Sequence, residues 1–285
     1  MTRPISSILN GTRQELVAMP WPEYLDYPAL NGSTLTAGRK SLLHLRDAWD
    51  HDHPDTEAMQ FGRLVHCLLF EPREVGARYR TWEGRRAGND YQLFRALAEA
   101  DGAEVVRADG QYSLEAALEA AQGFLRSARV KELIAAGQAE QTVLAVECGL
   151  QCKGRLDWVS TAEHVLTDLK TTRDIEDEAF GRQFFRLGYD LKLGLYQRWL
   201  NAVTGDQWPV EVIVLENQRP YDVAVIPVPQ AVLDAGVDKA MKIIEQVQGA
   251  IVADQWPGVS DGGLVPLAVP YWAMEETLTG YEDGP

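Results

Sequence analysis

Asp157 and Asp168 stand eleven residues apart, each among apolar neighbours, and Lys170 follows the second aspartate with one residue between. Alternation along a strand points Asp168 and Lys170 to the same face. If the segments carrying the two aspartates pair as neighbouring strands, their carboxylates face one another. Like charges that close need a cation or a proton between them. A hard divalent ion, Mg²⁺ or Mn²⁺, held by carboxylates, water and a carbonyl such as that of Leu169, meets that need. Lys170 is then placed to orient or activate an attacking water and to stabilise charge on a phosphate. The chemistry implied is metal-assisted cleavage of a phosphodiester. A plainer reading stays open, in which Asp-x-Lys and Arg155 with Asp157 are structural ion pairs.

These residues need a sheet to hold them. Residues 141–150 read as a strand, Gly149 marks a turn, 151–159 read as its antiparallel partner, and 165–170 as a third strand. Pro20 and Pro22 predict an irregular stretch over 1–35. Ser33 or Thr36 caps a helix running to Arg46, and the polar segment 51–55, with His51 and His53, reads as a solvated loop. A helix over 56–70 sets Phe61, Leu64, Val65, Leu68 and Leu69 at helical spacing and ends before Pro72. Helices follow at 89–100, 113–130, with Ser113 as cap, and 131–137. Beyond the third strand come helices at 176–187 and 190–204, strands at 210–216 and 222–227, and a helix at 229–253. That order predicts an α/β (α+β) fold, a central mixed β-sheet flanked by helices. The division expected is an N-terminal extension (1–35), one main domain (36–253) and an acidic tail (254–285), since no positive side chain follows Lys242.

The net charge is -15 and the pI about 4.8, which weakens non-specific attraction to polyanions. Any attraction to nucleic acid must be local, in a basic patch or channel, with divalent ions neutralising part of the site. The densest basic run is Arg78-Tyr79-Arg80-Thr81-Trp82-Glu83-Gly84-Arg85-Arg86. Its arginines suit phosphates and its aromatics suit a sugar or base; a solvated arginine-rich loop is the equal alternative. Arg63 lies one helical turn from His66, and Arg182 and Arg186 recur four apart. His44 and His164 read as structural or exposed. Cys67, Cys148 and Cys152 make neither a disulfide framework nor a structural zinc site, and they do not supply four iron–sulfur ligands. No segment reads as a signal peptide or a membrane span, so the expected location is the cytoplasm, with no membrane partner.

Gly154-Arg155-Leu156-Asp157, followed by Asp168-Leu169-Lys170-Thr171-Thr172, resembles the core of PD-(D/E)xK nucleases. More closely, the chain is similar to phage and prophage exonucleases of the RecE type. The likeness covers roughly 35–225 and takes in Phe61-Gly62-Arg63-Leu64-Val65-His66 and Tyr189-Asp190-Leu191-Lys192-Leu193-Gly194-Leu195-Tyr196. It implies a restriction-endonuclease-like core. It also implies a metal site of His66, Asp157, Asp168 and the Leu169 carbonyl, with Lys170 as the catalytic lysine. Glu140 matches an upstream acidic position, with Glu147 as its rival. Tyr189, Lys192 and Tyr196 match a helix near the DNA path; Lys192 stands where the family usually has glutamine, though a lysine still meets phosphate as a point charge. Arg-Leu precedes Asp157 where relatives often have Arg-Pro.

The activity implied is a Mg²⁺-dependent exodeoxyribonuclease, with Mn²⁺ as a possible substitute, acting 5′→3′ on linear double-stranded DNA. It would leave a 3′ single strand for an annealing or recombinase partner. A ring-forming homo-oligomer enclosing DNA would reconcile an acidic exterior with a basic interior. Two alternatives remain: a single-strand or endonucleolytic DNase, and a non-catalytic DNA-binding or assembly subunit. The presence of Asp157, Asp168 and Lys170 together counts against the last.

Overall fold

The computed structural model describes residues 4–51, 55–260, 262–266 and 268. In chain order, a 3₁₀ turn (Ile5–Ile8) leads to β1 (Glu15–Val17), α1 (Trp21–Asp26), β2 (Leu30–Asn31), α2 (Gly32–Gly38), α3 (Leu42–Asp50) and α4 (Glu57–Phe70). A second 3₁₀ turn (Pro72–Glu74) and the short α5 (Val75–Arg78) precede β3 (Tyr79–Trp82), α6 (Asn89–Ala100) and β4 (Glu104–Arg107). Then come α7 (Leu114–Phe124), α8 (Ala128–Ile134), β5 (Gly137–Glu147), β6 (Leu150–Ser160) and β7 (Val165–Thr172). The chain continues through α9 (Asp177–Arg186), α10 (Tyr189–Thr204), β8 (Val210–Glu216), β9 (Val223–Pro227) and α11 (Gln230–Ala253).

The main sheet runs β1-β5-β6-β7-β8-β9, with β2 also paired to β6. It is mixed, as the element order predicts: β7 pairs β8 in parallel through the α9–α10 crossover, and β2 is parallel to β6, while the other pairs are antiparallel. The β5–β6 hairpin closes through Cys148 (φ 49°) and Gly149 (φ 74°), the left-handed pair that a tight, right-twisted hairpin requires. Helices cover both faces. Side chains of α2, α3, α9, α10 and α11 build one core with Leu156, Leu166 and Val212, and those of α4, α7 and α8 build the other with Val165, Leu169 and Ile213. Opposite cores for Leu166 and Leu169 are the period-2 alternation of a strand buried on both faces.

The N-terminal stretch, expected to be irregular, adds β1 and β2 to the main sheet. Strands of three and two residues are too short to show periodicity. The helix expected to run to Arg46 is two helices. Asn31 Oδ1 caps α2 by accepting the Thr34 N–H (2.9 Å), and Ser41 Oγ caps α3 by accepting the His44 N–H (3.3 Å). The helix read over 113–130 likewise breaks, and Ser127 caps α8. The basic run folds into β3, which pairs in parallel with β4 in a separate two-stranded sheet. His53 and most of the acidic tail lie outside the described residues. No described helix is long and apolar enough to cross a membrane.

Candidate metal centre

β6 and β7 pair only at Trp158↔Thr167, Val159↔Leu166 and Ser160↔Val165. The next position in that register holds Asp157 and Asp168, and there the strands part: β7 continues along β8, and β6 along β2 and β5. A buried backbone N–H without a partner costs about 1–3 kcal/mol. Asp157 removes that cost, since its Oδ2 accepts the Leu169 N–H at 2.8 Å. On the other side, Glu140 of β5 stands opposite Asp157, between the pairs Ala139↔Trp158 and Gln141↔Leu156. Its φ of 50° is left-handed, a conformation costing a non-glycine residue about 1–2 kcal/mol. Three adjacent strands thus set Glu140, Asp157 and Asp168 in one row.

His66 reaches this row from α4. Its Nε2 lies 2.9 Å from the Leu169 carbonyl oxygen, and its Nδ1 3.6 Å from Asp157 Oδ2. His66, Glu140 and Asp157 each bring a donor atom within 4.8 Å of the others. Asp168, 2% exposed, accepts Lys170 Nζ on Oδ2, while its buried Oδ1 has no hydrogen-bond partner among the described residues. Lys170 Nζ also donates to the Leu169 carbonyl (3.2 Å) and stands 5.1 Å over the Tyr189 ring.

Arg155 does not pair with Asp157, correcting one of the two plainer expectations. It donates to Glu140 (2.5 Å), Glu71 (3.3 Å) and the Met19 carbonyl (2.9 Å), beneath the rings of Trp21 and Tyr24. Burial, then the charge of Asp157, pushes the Glu140 carboxyl up. Burial pushes Asp157 up as well, but His66, Lys170, Lys192 and the Leu169 N–H outweigh it and hold the carboxyl below its ordinary value. For Lys192 burial pulls downward, yet Asp168 and Asp157 raise the ammonium above its ordinary value.

The donor set fits a hard divalent ion. It is mostly oxygen: the carboxylates, the Leu169 carbonyl and the open Oδ1 of Asp168, with one imidazole. His66 Nε2 and the Leu169 carbonyl oxygen lie 2.9 Å apart, at hydrogen-bond distance, so both would have to turn to a bound ion together. The structure gathers His66, Asp157 and Glu140 as one donor group with the Leu169 carbonyl at His66 Nε2, while the expected donor Asp168 stands next along the row, outside that group. Glu147 lies elsewhere, bonded to Arg198 (2.8 Å) and Trp199 (3.1 Å).

The residues expected to meet DNA are scattered in environment. Arg63 is tied to Asp55 and Glu104 (2.8 Å each), Arg78 to Glu71, and Arg86 to Glu57 and the Val105 carbonyl. Arg80 bonds the carbonyls of its own turn, and Trp82 packs on Tyr91 and Phe94. Arg85 is exposed, and Arg182 pairs with Glu178 on the surface of α9. Tyr189 is half-buried beside Lys170. Tyr196, 4% exposed, lies against Gly154 of β6 and braces the sheet. Arg186 lines an open cleft of about 840 Å³ whose walls include Asn31, Ser33, Arg39, Lys40 and His44. Arg39 and Lys40 were not among the residues expected to meet DNA; the signal was a dibasic pair directly after Gly38, less conspicuous than the denser run downstream.

A family model described as a PDDEXK-like domain of unknown function (DUF3799) matches residues 34–263. No curated protein matches the chain. A solved structure from Eubacterium rectale, provisionally named an exonuclease, superposes with a TM-score of 0.59 at 13% identity, covering 90% of this chain and 98% of that one. A phage-related exonuclease from Haemophilus somnus 129PT gives a TM-score of 0.29 at 14% identity, over 78% of this chain and 96% of that one. The first likeness shows a shared fold, and the second is too weak to add to it.

Proposed function

The chain belongs to the PDDEXK-like family that matches it, and from that premise we propose a divalent-metal-dependent exodeoxyribonuclease acting on linear double-stranded DNA from an end. The observation that carries the reading is the row of Glu140, Asp157 and Asp168 at the fork, closed by His66 and the Leu169 carbonyl. Mg²⁺ or Mn²⁺ held there by His66, Asp157, Asp168, Glu140 and the Leu169 carbonyl would polarise the phosphoryl group and ease departure of the leaving oxygen. Asp157 keeps its place through the Leu169 N–H, and Arg155 holds Glu140 in its left-handed turn. Lys170, fixed between Asp168 and the Leu169 carbonyl, aligns the attacking water and offsets negative charge gathering on the phosphate.

The cleft of Arg39, Lys40 and Arg186 opens beside β2 and α2 and is lined by none of the metal donors. Its charge gives an acidic protein the local attraction that a polyanion needs. Arg85, Arg182, Tyr189 and Lys192 extend the DNA-facing surface. Arg63, Arg78, Arg80, Trp82, Arg86 and Tyr196 shape that surface from within it. The resemblance to RecE-type exonucleases supports 5′→3′ polarity, a 3′ single strand passed to an annealing or recombinase partner, and ring assembly around the duplex. Linear duplexes labelled at each 5′ or 3′ end, beside closed circular DNA, test this. Early release of the 5′ label with Mg²⁺, and an intact circle, are expected. Cutting of the circle, or inert linear ends, would overturn the exonuclease reading.

A further inference from the structure

Arg155 lies buried on β6, two residues before Asp157, and its guanidinium is committed in three directions. Nε donates to Glu140 Oε2 (2.5 Å), Nη1 to the Met19 carbonyl (2.9 Å) and Nη2 to Glu71 Oε1 (3.3 Å). Its central carbon stands 5.4 Å from the Trp21 ring centre and 5.6 Å from that of Tyr24. Each nitrogen therefore has a partner, and the planar fork is fixed in orientation. That fork takes one oxygen of Glu140, whose carboxylate also belongs to the donor group with His66 and Asp157. How Glu140 faces an ion thus follows from how Arg155 is held.

Glu71 is the partner of Arg155 that carries charge and lies outside the donor group. It caps the C-terminal end of α4, five positions after His66, and its backbone N–H donates to the Cys67 carbonyl (2.9 Å). Its carboxylate is itself fixed. Arg78 donates from Nη1 to Oε2 (2.7 Å) and from Nη2 to Oε1 (2.8 Å), a bidentate pair that sets the carboxylate plane. Oε1 serves both arginines. The run Arg78–Glu71–Arg155–Glu140 therefore ties the end of the His66 helix to the strand that carries Glu140. We propose that Glu71 is a positioning residue for the metal centre: it sets Arg155, and through it the Glu140 carboxylate that an ion shares with His66 and Asp157. The proposal rests on the metal centre described above.

Mn²⁺ titration of the metal-free protein, without DNA, tests it as a double-mutant cycle, read by calorimetry and electron paramagnetic resonance. Glu71→Ala removes the contact. Glu71→Asp draws the carboxylate back by one methylene from a bond already 3.3 Å long and leaves Arg78 a charged partner, so it serves if the alanine variant fails to fold. Each variant is first checked for a native circular dichroism spectrum. Wild type should bind Mn²⁺ saturably, and Glu140→Gln should bind it about ten- to a hundredfold more weakly. Either change at Glu71 should weaken binding about tenfold in the wild-type chain, and by under about twofold once Glu140→Gln is present. Loss by the same factor in both backgrounds would mean a general effect on the fold and would overturn the proposal. Unchanged affinity in every folded Glu71 variant would overturn it too, as would unchanged affinity in Glu140→Gln; the metal centre would stand in each case. No saturable binding in wild type would overturn the metal centre and this proposal with it.

Discussion

The carboxylate of Asp157 serves both the fold and the site: one oxygen completes the hydrogen bonding of β7 where β6 leaves it, and the group also faces His66 and Glu140. The two uses separate by substitution. Asp157→Asn keeps an acceptor for the Leu169 N–H, so it should melt near wild type while losing divalent binding. Asp157→Ala strands that N–H and should cost a further ~1–3 kcal/mol in urea unfolding. Equal melting of the two variants would show that the Leu169 bond does not hold the fork. The aspartate pair and its lysine were legible because alternation and spacing are local properties. The partner of Arg155 was not. Glu140 meets it only through the β5 register and a left-handed residue, and neither leaves a trace in periodicity. The ion pairs of the basic run left no trace for a related reason: Glu71 and Glu57 come from other elements to meet Arg78 and Arg86, as Glu104 meets Arg63.

Most long elements fell within a residue or two of their expected bounds, since caps and turn residues mark their ends; β5 (Gly137–Glu147), expected over 141–150, and the broken helix of 113–130 did not. The ends of α4, α10 and α11 all follow this rule. The short strands β1 and β2 were invisible, because pairing with β5 and β6 makes them strands. What seats α10 over the fork is its crossing with α11. A Cβ on Gly236 would meet the Asp190 carbonyl oxygen at 2.1 Å, and one on Gly194 the Leu233 carbonyl oxygen at 2.5 Å. Backbone cannot yield as a side-chain tip can, so Gly236→Ala should lower stability by about 1–3 kcal/mol or more and reduce cleavage by shifting Tyr189 and Lys192. A thermal melt and a rate on the same preparation check this; unchanged values in both would mean that the crossing has slack.

At the scale of the whole molecule, a net charge of -15 makes binding to DNA depend on a small, local set of cations. Lys40 and Arg186 are exposed on the cleft wall. Replacing both by alanine should weaken duplex binding without regard to sequence. It should also flatten the dependence of log affinity on log salt by about two, near 0.9 for each phosphate no longer neutralised. An unchanged salt slope in filter binding or fluorescence anisotropy would place the duplex elsewhere. The mixed sheet between helical layers was legible from element order; the cleft was not, because β2, α2, α3 and α9 form it only once packed.

The central claim is that the fork is a metal-dependent catalytic centre. It is tested most directly by Mg²⁺-dependent digestion of an end-labelled linear duplex with Asp168→Asn. That change spares the Leu169 bond and leaves Lys170 an acceptor, so the protein should fold as wild type. Wild type should digest the duplex with Mg²⁺ and stop in chelator, and Asp168→Asn should lose activity on the order of a thousandfold. A folded Asp168→Asn protein that digests the duplex at the wild-type rate would contradict the assignment.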